Sequence, residues 1–264
     1  MKKFLVAVLL VSILSTACSM GAPAEPTATA VPPPTNTAPP TETPLPTDTP
    51  TPVYTPTPDA AATAAAQATA SASTVLDELS KLLSDTDVPY KDGHLLWQQT
   101  EAVTIHLQGP SGDDTVAEID KNITAADFIF KSDVTWEATG WMFCGGIFRS
   151  EANLDKGKQY QLYFLRLSGL PAWYISTFEG TSFLGSVSGE QFSDAIDMKS
   201  DATNEFVLVA QGNAFNVYFN GIDQGRYFDN KKQLSEGRFG FMAWQESGKG
   251  SCKFENSWIW SLDK

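Results

Sequence analysis

The sequence predicts an all-β domain, an antiparallel sandwich or barrel, that follows a proline-rich segment and one helix. From about residue 87 to residue 264, apolar and polar residues alternate in short runs bounded by turn residues, as in half-buried strands. Gly212-Asn213 and Asn220-Gly221 are dipeptides that favour tight hairpins. No second helical pattern interrupts the strand-like runs, which cover 102–107, 128–136, 145–148, 159–167, 173–178, 206–210, 215–219, 238–244 and 254–262.

Residues 59–85 are predicted to form one helix, which begins near residue 60 and ends near residue 84. Asp59 is a suitable N-cap, and the residues that follow are rich in alanine, which has the highest helix propensity. In the second half, Leu79, Leu82 and Leu83 recur at helical spacing and form a narrow apolar face. This face either docks on the β domain, residues 86–264, or pairs with another copy of the chain.

Residues 18–58 are predicted to be a stalk rich in proline and threonine. Of the 16 prolines, 13 lie between residues 21 and 58. Proline fixes φ and removes a backbone donor, so we expect an extended, disordered segment without a core. At about 3.1 Å per residue such a segment reaches on the order of 120 Å, which is the property of a spacer.

The first 17 residues have the pattern of a secretory signal peptide. Lys2 and Lys3 precede an apolar run, 4–14, that is shorter than the roughly 20 residues needed to cross a membrane. The following Leu-Ser-Thr-Ala-Cys, 14–18, resembles the lipobox of bacterial lipoproteins, with Ser15 where that family usually has Leu. The resemblance implies that Cys18 is acylated, which anchors the mature chain by lipid to the outer face of a bacterial membrane, in the cell envelope. The alternative is an ordinary signal peptide cut nearby, with Cys18 as a free thiol.

Lipidation of Cys18 leaves Cys144 and Cys252 in an oxidising compartment, where we expect them to form a disulfide. The loop closed by this bond has about 109 residues, for which chain entropy gives roughly 4–5 kcal/mol of stabilisation. The alternative is a pair of buried thiols that behave as small hydrophobic groups.

Seven segments of the β domain share the order and composition of the strands of one superfamily. They are Gly-Gly-Ile-Phe-Arg (145–149), Tyr-Gln-Leu-Tyr-Phe (160–164), Ala-Trp-Tyr-Ile (172–175), Asn-Glu-Phe-Val-Leu-Val-Ala-Gln-Gly-Asn (204–213), Val-Tyr-Phe-Asn-Gly (217–221), Gly-Arg-Phe-Gly-Phe (237–241) and Phe-Glu-Asn-Ser-Trp-Ile-Trp (254–260). Through these segments the domain resembles the concanavalin A-like lectin and glucanase superfamily, a jelly-roll antiparallel β-sandwich that includes laminin-G-like modules and a domain of 3-keto-glycoside hydrolases. The resemblance covers about residues 125–262. It implies the fold more strongly than a function, because the matching positions form turns and core.

The carboxylates do not form the catalytic pattern of that superfamily. Its retaining glucanases carry Glu-x-Asp-x-x-Glu on one strand, because two carboxylates about 5 Å apart act as nucleophile and general acid. Glu118-Ile119-Asp120 begins this pattern, but Ile123 stands where the second glutamate belongs. The sequence therefore predicts no catalytic residue, and the net charge of -13 excludes nucleic acid as an expected partner.

Metal and cofactor motifs are weak. Asp113-Asp114 and Asp229-Asn230 offer oxygen ligands for Ca²⁺, an ion frequent in the superfamily, but these residues are also common turn formers. His94 and His106 have no spacing typical of zinc ligands and are interpreted as ordinary strand or loop residues. No cofactor motif is recognisable.

Exposed aromatic rings are the expected basis of any sugar binding, because their faces stack on pyranose C–H groups. Trp141, Trp173, Tyr174 and Trp244 lie beside turns or strand ends and are the candidate ligand-binding residues. By contrast, Trp258 and Trp260 share strand parity with Phe254 and are assigned to the core.

Three hypotheses for function follow from the sequence. The preferred one is a non-catalytic module that binds a carbohydrate or another extracellular polymer and is displayed on the cell surface. The second is a glycoside-cleaving enzyme whose carboxylates meet only in three dimensions. The third is a structural envelope protein without a small ligand.

Overall fold

The structure, a computed structural model, describes residues 60–108, 115–167, 169–246 and 248–263. These residues belong to one compact unit, Pro56–Lys264. The predicted signal peptide, Cys18 and the stalk of residues 18–58 lie outside the described residues, as do Asp113 and Asp114. Within the described ranges, no helix combines the length and the apolar character needed to cross a membrane.

The described part of the chain contains one long helix and fourteen strands. Helix α1 covers Ala60–Leu83, close to the predicted 60–84, and a single 3-10 turn follows at Tyr90–Asp92. The strands are β1 (His94–Gln98), β2 (Val103–Gln108), β3 (Thr115–Glu118), β4 (Phe128–Ala138), β5 (Met142–Ser150), β6 (Lys158–Leu167), β7 (Leu170–Glu179), β8 (Ser182–Ser186), β9 (Gln191–Phe192), β10 (Thr203–Gln211), β11 (Ala214–Phe219), β12 (Ile222–Phe228), β13 (Arg238–Gln245) and β14 (Lys249–Ser261).

The strands form two antiparallel sheets of seven strands each. In sheet A the order is β1-β14-β4-β10-β11-β12, and β2 pairs with the other half of the long strand β14. In sheet B the order is β3-β13-β5-β6-β7-β8, and β9 also pairs with β7. The predicted all-β antiparallel fold is therefore confirmed. Of the sandwich and the barrel, both of which the sequence pattern allowed, the chain adopts the sandwich.

Alternate side chains of both sheets fill the space between them. Phe130 of β4 lies in this core, where its ring meets those of Phe206 and Phe239 edge-to-face at 5.3 Å and 5.7 Å. Gly146 of β5 faces the same rings, and a Cβ at this position would lie 2.7 Å from a ring carbon of Phe130. Gly146 thus has a packing reason, since a larger residue there would push the sheets apart.

The two sheets are joined covalently. Cys144 of β5 and Cys252 of β14 form a disulfide, and both residues are fully buried. The predicted pairing is therefore present in the structure. Because one cysteine lies in each sheet, the bond crosses the core and closes a long loop of the chain.

The apolar face of α1 docks on the outer face of sheet A. Val75, Leu79 and Leu83 are at most 1% exposed, which corresponds to about 2 kcal/mol of favourable burial for each side chain. The docking interpretation of the helix is therefore correct for its second half, whereas residues 61–70 remain exposed. The buried residues of sheet A beneath the helix are Ile129, Val207, Val209, Tyr218, Trp258 and Trp260.

Trp258 and Trp260 lie under this helix, not between the sheets. The strand-parity prediction placed them with Phe254, which does point into the core. Asn256 has φ 49, and the register of β14 against β4 shifts directly after the preceding residue. This bulge reverses the parity of the strand. The prediction of burial is therefore right, and the prediction of the face is wrong.

Candidate functional site

A row of aromatic rings crosses the outer face of sheet B. Consecutive rings lie 5.0, 4.9 and 5.3 Å apart along its first four members. Neighbouring strands are about 4.7–4.9 Å apart, so the sheet itself sets the spacing of the rings. We call this row the aromatic ribbon; from β13 through β5, β6 and β7 to β8, its members are Trp244, Phe143, Tyr163, Tyr174, Phe178 and Phe183.

Strand alternation places these rings outward. In β7, Trp173 and Ile175 belong to the core between the sheets, so Tyr174 between them must project from the other face. In β5, Phe143 projects outward because its neighbour Cys144 points into the core. The ribbon therefore depends on the same alternation that builds the core.

Trp173 is not part of the ribbon, although it was predicted as a ligand-binding residue. Its side chain is 1% exposed and lies between the sheets, with edge contacts to Phe219 and Tyr227 at 5.6 Å and 5.3 Å. Because residues 173 and 174 must face opposite sides of the sheet, the outward position of Tyr174 requires Trp173 to be buried. The prediction for Trp173 is wrong.

The two ends of the four-ring stack differ from its middle. Phe143 and Tyr163 each have stacked or tilted rings on two sides, and Tyr163 is only 9% exposed. Trp244 and Tyr174 each meet one ring among the described aromatic contacts, and both are half-buried. Each end ring therefore has one face without a stacked ring among the described aromatic contacts, and both residues were predicted to bind a ligand.

Tyr174 carries a polar group at its end of the stack. Its hydroxyl donates to Oε1 of Glu190 at 2.6 Å. Burial, together with this hydrogen bond, raises the pKa of Tyr174, so the hydroxyl keeps its proton and continues to donate. The hydrogen bond fixes the orientation of the ring and leaves the carboxylate of Glu190 as an acceptor beside it.

Trp141 lies at the other end, in the turn that joins β4 to β5. It is 42% exposed, and its backbone carbonyl accepts a hydrogen bond from the N–H of Glu246 at 2.9 Å. Glu246 follows Trp244 by two residues, and Trp141 precedes Phe143 by two residues. The hydrogen bond between Trp141 and Glu246 therefore places this tryptophan near the Trp244 end of the ribbon. Three of the four predicted aromatic residues thus lie on or near one surface.

Glu118 and Glu190 are carboxylates on opposite sides of the ribbon. Glu118 of β3 forms an ion pair with Arg238 at 2.8 Å, whereas Glu190 lies beyond β7. Four strand spacings separate β3 from β7, which is about 19 Å. A glycosidase pair requires carboxylates roughly 5–10 Å apart, so these two residues cannot act on one bond.

The predicted calcium ligand Asp229 is engaged in hydrogen bonds. Its carboxylate accepts from the hydroxyl of Tyr160 and from the backbone N–H groups of Lys231 and Gln233, and the residue is 4% exposed. These donors use most of the acceptor capacity of the carboxylate, which favours the turn-forming role of Asp229 over the calcium alternative. In the part of the chain that the structure describes, no group of three or more histidine, cysteine, aspartate or glutamate side chains is arranged to hold a metal ion.

Four members of the ribbon were missed in the sequence: Phe143, Tyr163, Phe178 and Phe183. The sequence does contain even spacings, which place residues of one strand on the same face. Tyr163 lies two positions from Leu165 on one strand, and Phe178 lies four positions from Tyr174 on the next. Strand parity alone does not say which of two alternating sets faces the core. Pairing across strands supplies that information, since Tyr163 lies directly opposite Tyr174.

No family model matches the sequence, and no curated protein matches it. Solved structures do match. A carbohydrate-binding module from Bacillus subtilis is 20% identical over 61% of this chain and 95% of its own, with a TM-score of 0.47. A lichenase, a β-1,3-1,4-glucanase derived from a mouse hindgut metagenome, is 7% identical over 63% of this chain and 83% of its own, with a TM-score of 0.45. A galectin from Caenorhabditis elegans is 10% identical over 65% of this chain and 98% of its own, with a TM-score of 0.36.

Proposed function

We propose that this chain is a non-catalytic carbohydrate-binding module that acts at the surface of a bacterial cell. The observation that carries the proposal is the aromatic ribbon, in which Trp244 and Tyr174, the end rings of the four-ring stack, each have a ring neighbour on one side only among the described aromatic contacts. A pyranose presents C–H groups on its face and hydroxyls at its edge. Aromatic faces bind the former, and fixed polar groups bind the latter.

The polar groups at the ribbon favour an uncharged glycan. Glu190, held by the hydroxyl of Tyr174, is an acceptor for sugar hydroxyls at one end. Arg238 at the opposite flank is already paired with Glu118, so its charge is compensated. With a net charge of -13 on the whole chain, an acidic polymer would be repelled.

The cell-surface part of the proposal rests on residues 1–58. A lipid on Cys18 would hold the chain on the outer face of the membrane, and the stalk would keep the β domain away from it. Replacing Cys18 by Ser is expected to release the protein from the membrane fraction of expressing cells and to abolish incorporation of radiolabelled palmitate. Membrane association that persists in this variant would contradict lipid anchoring.

The glycan proposal is tested with the purified protein on a glycan array, followed by titration calorimetry with the best ligand. We expect Trp244→Ala and Tyr174→Ala each to weaken binding about tenfold, which corresponds to about 1.4 kcal/mol. Phe228→Ala is the matched control, because Phe228 is an aromatic residue of sheet A that is 50% exposed. Its binding should remain that of the wild type.

Two outcomes would overturn this proposal. One is an array without bound glycans, and the other is a glycan whose affinity is unchanged in both ribbon variants. Release of reducing ends from the bound glycan would instead favour the glycoside-cleaving alternative.

A further inference from the structure

A second surface feature lies on the opposite side of the sandwich. A cleft of about 370 Å³ opens on the outer face of sheet A, between the ends of β2, β4 and β14. Glu137 in this cleft is eight residues along β4 from Ile129, which lies under α1, so roughly 26 Å separates the cleft from the helix. The cleft is therefore distinct from the ribbon and from the helix contact.

Polar side chains from three adjacent strands line this cleft in one row. Ser251 of β14 lies directly opposite His106 of β2 on one side and Glu137 of β4 on the other. Asp201 joins them from the turn before β10, where its backbone N–H donates to the carbonyl of Trp136 at 2.9 Å. This bond places Asp201 beside Glu137.

These side chains have unused hydrogen-bonding capacity. None of His106, Glu137, Asp201, Lys249 and Ser251 forms a side-chain hydrogen bond or an ion pair with another residue that the structure describes. Two other lysines of sheet A are paired with carboxylates. Lys131 lies 3.5 Å from each of three carboxylates, and Lys253 lies 2.8 Å from Glu255.

The lining defines the chemistry of a ligand. Glu137 and Asp201 are anionic and Lys249 is cationic, so one negative charge is uncompensated when His106 is neutral. The hydroxyl of Ser251 and the imidazole of His106 both donate and accept. Among the described residues, the lining contains no Phe, Tyr or Trp ring, so recognition must come from hydrogen bonds and charge and not from stacking.

We propose that this cleft binds a small polyhydroxylated amine, of the class of an amino sugar with a free ammonium group. The carboxylates of Glu137 and Asp201 accept hydrogen bonds from the ammonium group, and charged hydrogen bonds of this kind are the stronger ones. Ser251, His106 and Lys249 bind the hydroxyls. This site is independent of the aromatic ribbon.

The test is a titration of the purified, isotope-labelled protein by NMR, with glucosamine as the probe and with N-acetylglucosamine and methylammonium as comparisons. Glucosamine should shift the signals of residues around Ser251 and should bind at least tenfold more tightly than either comparison. Acetylation removes the charge, and methylammonium has no hydroxyls.

Variants of the cleft sharpen this test. Glu137→Gln and Asp201→Asn should each weaken glucosamine binding about tenfold; asparagine tolerates the left-handed backbone of residue 201, where φ is 66. Glu179→Gln, an exposed glutamate of sheet B, is the matched control, and Trp244→Ala should leave glucosamine binding unchanged.

The proposal is overturned if glucosamine shifts no signals at the cleft, if N-acetylglucosamine or methylammonium binds as tightly as glucosamine, or if both cleft variants bind like the wild type. If the wild-type protein binds glucosamine at the cleft but binds no glycan at the ribbon, only the proposed function is refuted.

Discussion

At the scale of single residues, Asp229 shows how one buried carboxylate organises a loop. It accepts hydrogen bonds from Tyr160 in sheet B and from Lys231 and Gln233 in the loop that follows β12. Burial by itself raises the pKa of Asp229, but these three donors lower it more strongly, so the net pKa lies below the ordinary value of 3.8. The ionised form therefore stabilises the fold.

Replacing Asp229 by Asn is expected to lower the free energy of unfolding at pH 7 by about 1–3 kcal/mol, because an amide cannot accept all three hydrogen bonds. The contribution of the carboxylate is present above the unfolded-state pKa and is lost as the pH falls through the lower folded-state value. Urea denaturation at pH 7 and at about pH 2.5 measures the free energy of unfolding of both proteins. The difference between wild type and variant should be smaller at the acidic pH.

Asp194→Asn, at an exposed aspartate, serves as the control and should change stability little at either pH. A gap between wild type and Asp229→Asn that stays constant across this range would contradict the role assigned to the ionised carboxylate.

Single residues also show where sequence reasoning about the site reaches its limit. Tyr174 and Trp244 were recognised as candidates because they flank turns or strand ends, and both lie in the ribbon. Trp173 satisfied the same criterion, yet it is buried. Adjacent residues of a strand must face opposite sides, but only the partner strands decide which side is the core.

At the scale of elements, the two halves of α1 are stabilised in different ways, the first by helix propensity and the second by tertiary packing. Its alanine-rich first half has high intrinsic propensity and no apolar face, whereas its second half is held by contacts with sheet A. Trp258 donates its indole N–H to Glu78 of the helix at 3.1 Å, which adds a specific polar contact to the apolar ones. Tertiary contacts therefore fix the second half more firmly than the first.

Leu79→Ala is expected to lower the free energy of unfolding by about 2–4 kcal/mol, because the side chain is 1% exposed and its removal leaves a cavity. Gln67→Ala, at an exposed position of the same helix, should change it by less than about 0.5 kcal/mol. Chemical denaturation, monitored by tryptophan fluorescence, measures the free energy of unfolding of both variants. Equal stability of both variants would show that the helix does not contribute to the folded domain.

The strands divide in a similar way into those that the sequence reveals and those that it does not. All nine predicted runs correspond to strands. The five strands that were missed, β1, β3, β8, β9 and β12, all lie at the edges of the two sheets. Edge strands are short or partly polar, as in Ile-Asp-Gln-Gly-Arg-Tyr-Phe of β12, so alternation is weak there.

At the scale of the whole molecule, the disulfide is the one covalent link between side chains of the two sheets that the described residues contain. Replacing Cys144 and Cys252 together by serine is expected to lower the free energy of unfolding by about 2–5 kcal/mol, because the reduced chain gains entropy when unfolded. Guanidinium denaturation of the oxidised wild type and the double variant measures this. The reduced wild type is the matched control, since it should unfold at nearly the same midpoint as the variant.

The position of this bond also has a consequence for recognition. Cys144 directly follows Phe143 of the ribbon, and Cys252 directly follows Ser251 of the cleft. The disulfide thus links strand β5 beneath the ribbon to strand β14 beneath the cleft, although the two proposed sites face away from each other. A reducing environment is therefore expected to impair capture of both ligand classes at once, although neither cysteine reaches a ligand.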